Sequence, residues 1–213
     1  MVEKIDLKSL FRKVCEQYKI PFSNLHGQGS YEQKAIMASN FMKAEQRGQI
    51  PVLLTCTDFD VAGLQIGEQK KWFEIHQNFT GWNPKNLIVN RVGLSYTFIQ
   101  DNNLTWIDGL GTSGKNKDGT PKDLADPNHR FHKRQAVQDY LRNYCMVGGK
   151  IKPRKCEANA IVVVPELGRQ LLIDAIEKYL GKNVYKKFER KRQGGRDEVQ
   201  RLIQIKLKNL KKH

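Results

Sequence analysis

No stretch of the 213 residues approaches the roughly 20 consecutive apolar positions that a helix needs to cross a bilayer, and no basic segment followed by an apolar core opens the chain. Membrane and secretory classes are therefore excluded as expectations, leaving a soluble, cytoplasmic protein, nucleoid-associated if its source is prokaryotic. Cysteine is scarce as well. The four present, Cys15, Cys56, Cys145 and Cys156, form no CxxC pair, which suits a reducing compartment and not a stapled secreted fold. Seventeen glycines and seven prolines without a period exclude a collagen-like chain. With 39% hydrophobic residues, the length suffices for one domain, or one and a half, with a proper core.

What the chain has in excess is positive charge, and unevenly. Residues 1–107 carry 12 Lys/Arg against 10 Asp/Glu, whereas residues 108–213 carry 25 against 12, so nearly all of the net +15 sits in the second half. Such asymmetry points to a polyanionic partner, because each neutralised phosphate releases counterions. DNA is the expected partner, and a membrane is not. The plain alternative is a basic surface kept for solubility. From residue 182 onward the balance is 12 to 3, with Lys186, Lys187, Arg190, Lys191, Arg192 and Arg196 as the candidate nucleic-acid contacts.

Apolar spacing predicts helices over 5–19, 31–47, 62–76, 134–144 and 168–180, the second capped by Ser30 and closed by Gly48. Runs at 20–25, 51–57, 86–92 and 160–164 read as strands. Strand and helix thus alternate through residue 94, the pattern of an α/β fold with a parallel sheet covered by helices on both faces. A Gly/Lys/Asp/Pro-rich stretch at 108–129 reads as a flexible loop, and Gly194-Gly195 as a break before a last helix.

The most informative segment is Thr57-Asp58-Phe59-Asp60-Val61-Ala62-Gly63, directly after the most apolar strand and directly before a helix. Ligands of open parallel sheets gather at the carboxyl ends of strands, and extended Asp-x-Asp can aim two carboxylates to one side. Such a pair calls for a cation, Mg²⁺ above all, with Mn²⁺ as the alternate. The plain reading is one Asp as an N-cap and the other solvated. Other candidates are weaker. Gly109-Leu110-Gly111-Thr112-Ser113-Gly114-Lys115-Asn116 approaches a P-loop but has Asn116 where a Ser/Thr would hold Mg²⁺. His129, His132, Cys145 and Cys156 match no zinc spacing. Gly27-Gln28-Gly29 reads as a turn whose amides could reach a phosphate, Trp72, Trp82 and Trp106 as packing residues, and Glu157 as an outer carboxylate or, more simply, a surface salt bridge.

Asp58-Phe59-Asp60-Val61-Ala62-Gly63 resembles the Asp-x-Asp-x-x-Gly signature of the Toprim domain, found in topoisomerases, some primases and related nucleases. Glu3 falls where that domain carries a glutamate after its first strand. The run from Arg47 through Leu54 to Gly63, with Lys155-Cys156-Glu157-Ala158-Asn159-Ala160 later, resembles the type IIB topoisomerase A subunit and its meiotic break-forming relatives. The resemblance implies a Toprim (Rossmann-like) metal-binding domain over 1–94, a family-specific α+β extension over 95–181 and a basic helical tail over 182–213. It also implies that Glu3, Asp58 and Asp60 are both the metal ligands and the catalytic residues, acting on a DNA phosphodiester as a topoisomerase or nuclease does. None of the seven tyrosines has the setting of a cleaving nucleophile, so that tyrosine is expected from a missing domain or a partner subunit, and a homodimer is a further expected partner state. Three functions stay in view: a Mg²⁺-dependent strand-cleaving module, a non-catalytic DNA-binding module on the same scaffold, and a primase-like transferase, disfavoured because no zinc-ribbon cysteines precede the domain.

Overall fold

The computed structural model describes all residues except 3, 5, 25–29, 67–68 and 211–213. At its centre, strand β1 (Val52–Thr55) pairs in parallel with β2 (Ile88–Arg91), in a register from Val52 opposite Ile88 to Thr55 opposite Arg91. Val2 bridges in parallel to Asn24 on one side and to Cys56 on the other, so the backbone order is Asn24, Val2, β1, β2. Helix α1 (Leu7–Tyr18) connects the first two segments, and α2 (Tyr31–Gln46) crosses back to β1. Local signals account for both helices. Leu7, Leu10, Phe11, Val14 and Cys15 form one buried face of α1, and Ser30 caps α2 through a reciprocal pair with Gln33.

Side-chain alternation along β1 divides the core. Leu53 packs with Ala38, Phe73, Trp82 and Leu87, whereas Cys56 joins Val2, the α1 face and much of the second half of the chain. The molecule is thus mixed α/β, but the broad parallel sheet expected from the sequence contracts to this pair with single-residue bridges beside it; each sheet among the described residues has two strands.

The remaining elements pack around this centre. The apolar run 62–76 is carried by α3 (Val61–Ile66) and α4 (Gln69–Ile75), followed by α5 (Gln77–Thr80) and, after β2, α6 (Tyr96–Asp101). Strand β3 (Ile107–Asp108) comes next. The stretch at 108–129, read from sequence as a loop, contains a hairpin of β4 (Gly111–Lys115) and β5 (Pro121–Asp123). Its turn closes through Asn116 N–H to the Thr120 carbonyl at 2.8 Å, with Gly119 at φ +84°. Helix α7 (Gln135–Tyr144) leads into a second hairpin, β6 (Met146–Val147) with β7 (Lys150–Ile151), and β8 (Arg154–Lys155) pairs with β3.

Of residues 160–164, expected as a strand, all but the capping Val164 belong to a 3-10 helix, Ala158–Val163. Buried Ala158 and Ile161 are followed by half-buried Val164, a spacing of three, while Val162 and Val163 face solvent. Helix α8 (Pro165–Leu180) packs on the 3-10 helix and on α1 so closely at Gly168 that an added Cβ would lie 2.3 Å from Ile161 Cγ2 and 2.9 Å from Leu10 Cδ2. Finally, α9 (Val184–Leu210) runs unbroken through Gly194-Gly195. Glycine in a helix costs only about 1 kcal/mol relative to Ala, so the expected break there does not occur.

Candidate functional site

Chain direction defines the crevice. From Val2 the backbone goes to one side through α1 and returns to the other through α2, so the strand order reverses between Val2 and β1, the usual ligand position in open α/β sheets. Residues 57–60 leave the carboxyl end of β1 at this point.

The two aspartates do different things there. Asp60 Oδ1 accepts the Gly63 N–H at 2.6 Å and the Asp60 carbonyl accepts the Leu64 N–H at 3.0 Å, so Asp60 caps α3. Asp58 is 6% exposed. Its Oδ1 accepts the Ala158 N–H at 2.8 Å, a bond spanning 100 positions, and its Oδ2 lies 3.2 Å from Lys4 Nζ. The plain reading is therefore half right, since one Asp is a cap but the other is buried and paired. Lys4 also reaches Glu157 Oε2 at 3.7 Å, and Lys155 reaches Glu157 Oε1 at the same distance. The structure thus gathers Asp58 and Glu157 around an ammonium and directs Asp60 to its own helix. Glu3 lies outside the described residues. Among the described residues, no group of three His, Cys, Asp or Glu is placed to hold a metal ion.

The segment carrying the aspartates is clamped from several directions. Gly63 admits the Asp58 backbone, since a Cβ there would lie 2.0 Å from the Asp58 carbonyl oxygen. Arg91, at the carboxyl end of β2, donates from Nε to Thr57 Oγ1 at 3.0 Å and from its terminal nitrogens to the carbonyls of Asp58 at 3.0 Å and Leu94 at 2.5 Å. Thr57 Oγ1 in turn donates to the Gly63 carbonyl at 2.8 Å. Phe59 and Cys156 exchange both backbone hydrogen bonds, at 2.7 and 3.0 Å, and the Tyr140 hydroxyl donates to the Phe59 carbonyl at 2.8 Å. Burial pushes the Tyr140 phenol far above its ordinary range. It also raises the Cys156 thiol to about 11, with the charges of Asp58 and Glu157 adding to the effect. Burial lowers the Arg91 guanidinium from its ordinary value.

Sequence reasoning missed Arg91 and Tyr140. Arg91 left a signal, as the one charged residue in the otherwise uncharged run 86–92. Tyr140 left none, because its partners lie far away in sequence.

The weaker candidates resolve into structural roles. The P-loop-like segment forms β4. His132 Nδ1 contacts the Leu124 carbonyl at 2.9 Å, His129 Nδ1 accepts the Phe131 N–H at 3.1 Å, and Cys145 and Cys156 are core residues. Trp82 is buried and donates to Glu45 at 2.6 Å, Trp72 stacks on His76, and Trp106 lies under Arg154. Residues 27–29 fall outside the description. The six candidate DNA contacts all lie on α9, where Arg192 pairs with Glu189 at 2.6 Å and Val199, Leu202 and Ile203 stand exposed. Among the described residues, no helix is long and apolar enough to cross a membrane. Comparison of the chain with protein-family models, with curated proteins and with solved structures finds no match.

Proposed function

We propose that the chain is a Toprim-type module that acts, with Mg²⁺, on DNA phosphodiester bonds. The observation carrying this reading is the position of Asp58: directly beyond β1, in the crevice where the parallel order reverses, with a second carboxylate and a cation already beside it. The donors are hard oxygens, the type Mg²⁺ prefers. Asp58 and Glu157 would hold the ion together with Glu3, and Lys4 marks where positive charge is tolerated between two carboxylates. A bound divalent ion neutralises phosphate oxygens and acidifies water. The chain's own part is positional. Arg91, Gly63 and Tyr140 hold the 57–60 turn, and Lys4 and Lys155, beside Asp58 and Glu157, would offer their ammonium groups to a phosphate at the crevice. A cleaving tyrosine would come from another domain or chain; without it, the attacking group is water.

A second reading is favoured by one specific contact. Lys4 already neutralises Asp58, as expected of a scaffold that docks DNA without cutting it. Metal dependence separates the two. Calorimetry of the full chain with Mn²⁺ is expected to show binding that weakens in Glu157→Gln and is lost in Glu3→Gln/Asp58→Asn/Glu157→Gln, whereas Asp60→Asn, which alters a helix cap, leaves it unchanged; equal affinity in wild type and triple variant would overturn the site. Supercoiled plasmid with Mn²⁺ is expected to yield open circles in an Asp58-dependent manner and no ladder of relaxed topoisomers. DNA binding without metal uptake or product would select the scaffold.

A further inference from the structure

Helix α9 carries a seam along one face. Tyr185, Phe188, Arg192, Gly195, Val199 and Leu202 follow one another at alternating steps of three and four, the spacing that stacks side chains in a single stripe. Phe188, Val199 and Leu202 are each more than half exposed. Lys186, Arg190 and Arg201 fall on the far side of the helix, so most of the stripe is free of charge.

An apolar stripe alone names no occupant, but the order of residues in and beside this one is complementary to itself read backwards. Laid against a copy running in the opposite direction, Arg192 meets the partner's Gly195, Phe188 the partner's Val199 and Tyr185 the partner's Leu202, and symmetry repeats the three layers. Each layer sets a longer side chain against a shorter one. The charged member of the seam falls on the position without a side chain, so its stem can lie across the partner while Glu189, 2.6 Å away, keeps the guanidinium at the rim. The flanks agree. In this register Glu189 stands beside the partner's Arg196 and Lys191 beside the partner's Glu198, each pair occurring twice and each of opposite sign. A parallel pairing would instead stack Arg192 on Arg192 and Gly195 on Gly195 and set Lys191 beside the partner's Arg196, so like charge and poor packing both oppose it. A foreign helix would cover the stripe without accounting for the charges beside it. We infer that α9 pairs antiparallel with α9 of a second copy of this chain, so that the protein dimerises through this helix. The pairing is independent of the Asp58 crevice and of any action on DNA, and it leaves Lys186, Arg190 and Arg201 facing outward.

Sedimentation velocity of the full chain over a range of concentrations is expected to show a dimer. Glu198→Lys, which creates a like-charge contact at both copies of one flanking pair, is expected to raise the dimer dissociation constant by about tenfold, and Lys191→Glu/Glu198→Lys, which exchanges the signs, to restore it. Both positions are exposed, so neither variant disturbs the core. Orientation is read from Phe188→Cys and Val199→Cys chains under mild oxidation, the four native cysteines being buried. The mixture is expected to form a disulfide between the two chains and neither variant alone to do so, because antiparallel pairing sets each position about 16 Å from its own copy, at 1.5 Å per residue. A monomer at every concentration, an affinity that Glu198→Lys leaves unchanged or the double variant fails to restore, or a disulfide formed by either cysteine variant alone would overturn the inference.

Discussion

The Asp58 backbone passes where a side chain at position 63 would stand, so the smallest possible addition there is the sharpest probe of the turn. Gly63→Ala would press a methyl onto the Asp58 carbonyl, 2.0 Å from where the Cβ must go, and backbone cannot rotate away as a side-chain tip can. The variant is expected to lose about 1–3 kcal/mol in urea unfolding, the usual range for overpacking. A second residue of the clamp reports on pH. Cys156 keeps its proton in the folded state up to about 11, against an ordinary value of 9.0. Between those values the folded chain binds more protons than the unfolded one, so this contribution to stability is complete below pH 9 and is lost as pH rises towards 11. The unfolding midpoint is therefore expected to fall over that window in wild type and to fall less steeply in Cys156→Ala; identical slopes would remove the thiol from the account.

Elements whose cause is local were legible in the sequence, and those whose cause is distant were not. Ser30 and Gly48 bracket α2 as read, because capping and a positive φ involve only a few neighbouring residues. The Asp-x-Asp turn was likewise placed at a strand end by the apolar run ahead of it. By contrast, 160–164 has strand composition yet coils into a 3-10 helix, since Ala158 is pinned to Asp58, 100 positions away, and Ile161 is drawn into the core. Glu157 joins Asp58 through the same contact, which no spacing rule could supply. Gly194-Gly195 errs in the opposite direction: a helix-breaking signal that a 27-residue helix absorbs. A Cβ at either glycine meets nothing within 4 Å. Replacing both with Ala is expected to stabilise α9 by about 2 kcal/mol in all, from about 1 kcal/mol at each site, seen as increased helical circular dichroism on heating. Unchanged ellipticity would mean that α9 is held by contacts and not by propensity.

Over the whole molecule, charge divides between the two halves of the chain, whereas the larger core draws on both. The near-neutral first half carries the crevice, and the extension packs against it in one continuous core that runs from Val2 and Leu7 to Leu172 and Ile176. Helix α9 leaves that core beside the tilted ring contact of Tyr185 on Tyr18 and presents its cations from Lys186 to Arg201 to solvent. A helix so exposed and so basic lowers its own repulsion by meeting phosphates, without reading sequence. Its exposed Val199, Leu202 and Ile203 offer a second use, as an apolar stripe for the same helix of another copy. Salt separates the two. Anisotropy titrations of duplex DNA over a series of salt concentrations are expected to give a steep fall of affinity for the full chain. Neutralising Lys186, Lys187, Arg190, Lys191, Arg192 and Arg196 to Gln is expected to reduce the slope by about four to five, near 0.9 for each contact, with Arg192 counted low because Glu189 already holds it. Substitution in place keeps the apolar stripe, so loss of slope without change in oligomeric state assigns α9 to DNA. An unchanged slope would assign the helix to a protein partner and leave any DNA affinity to the cations beside the Asp58 crevice.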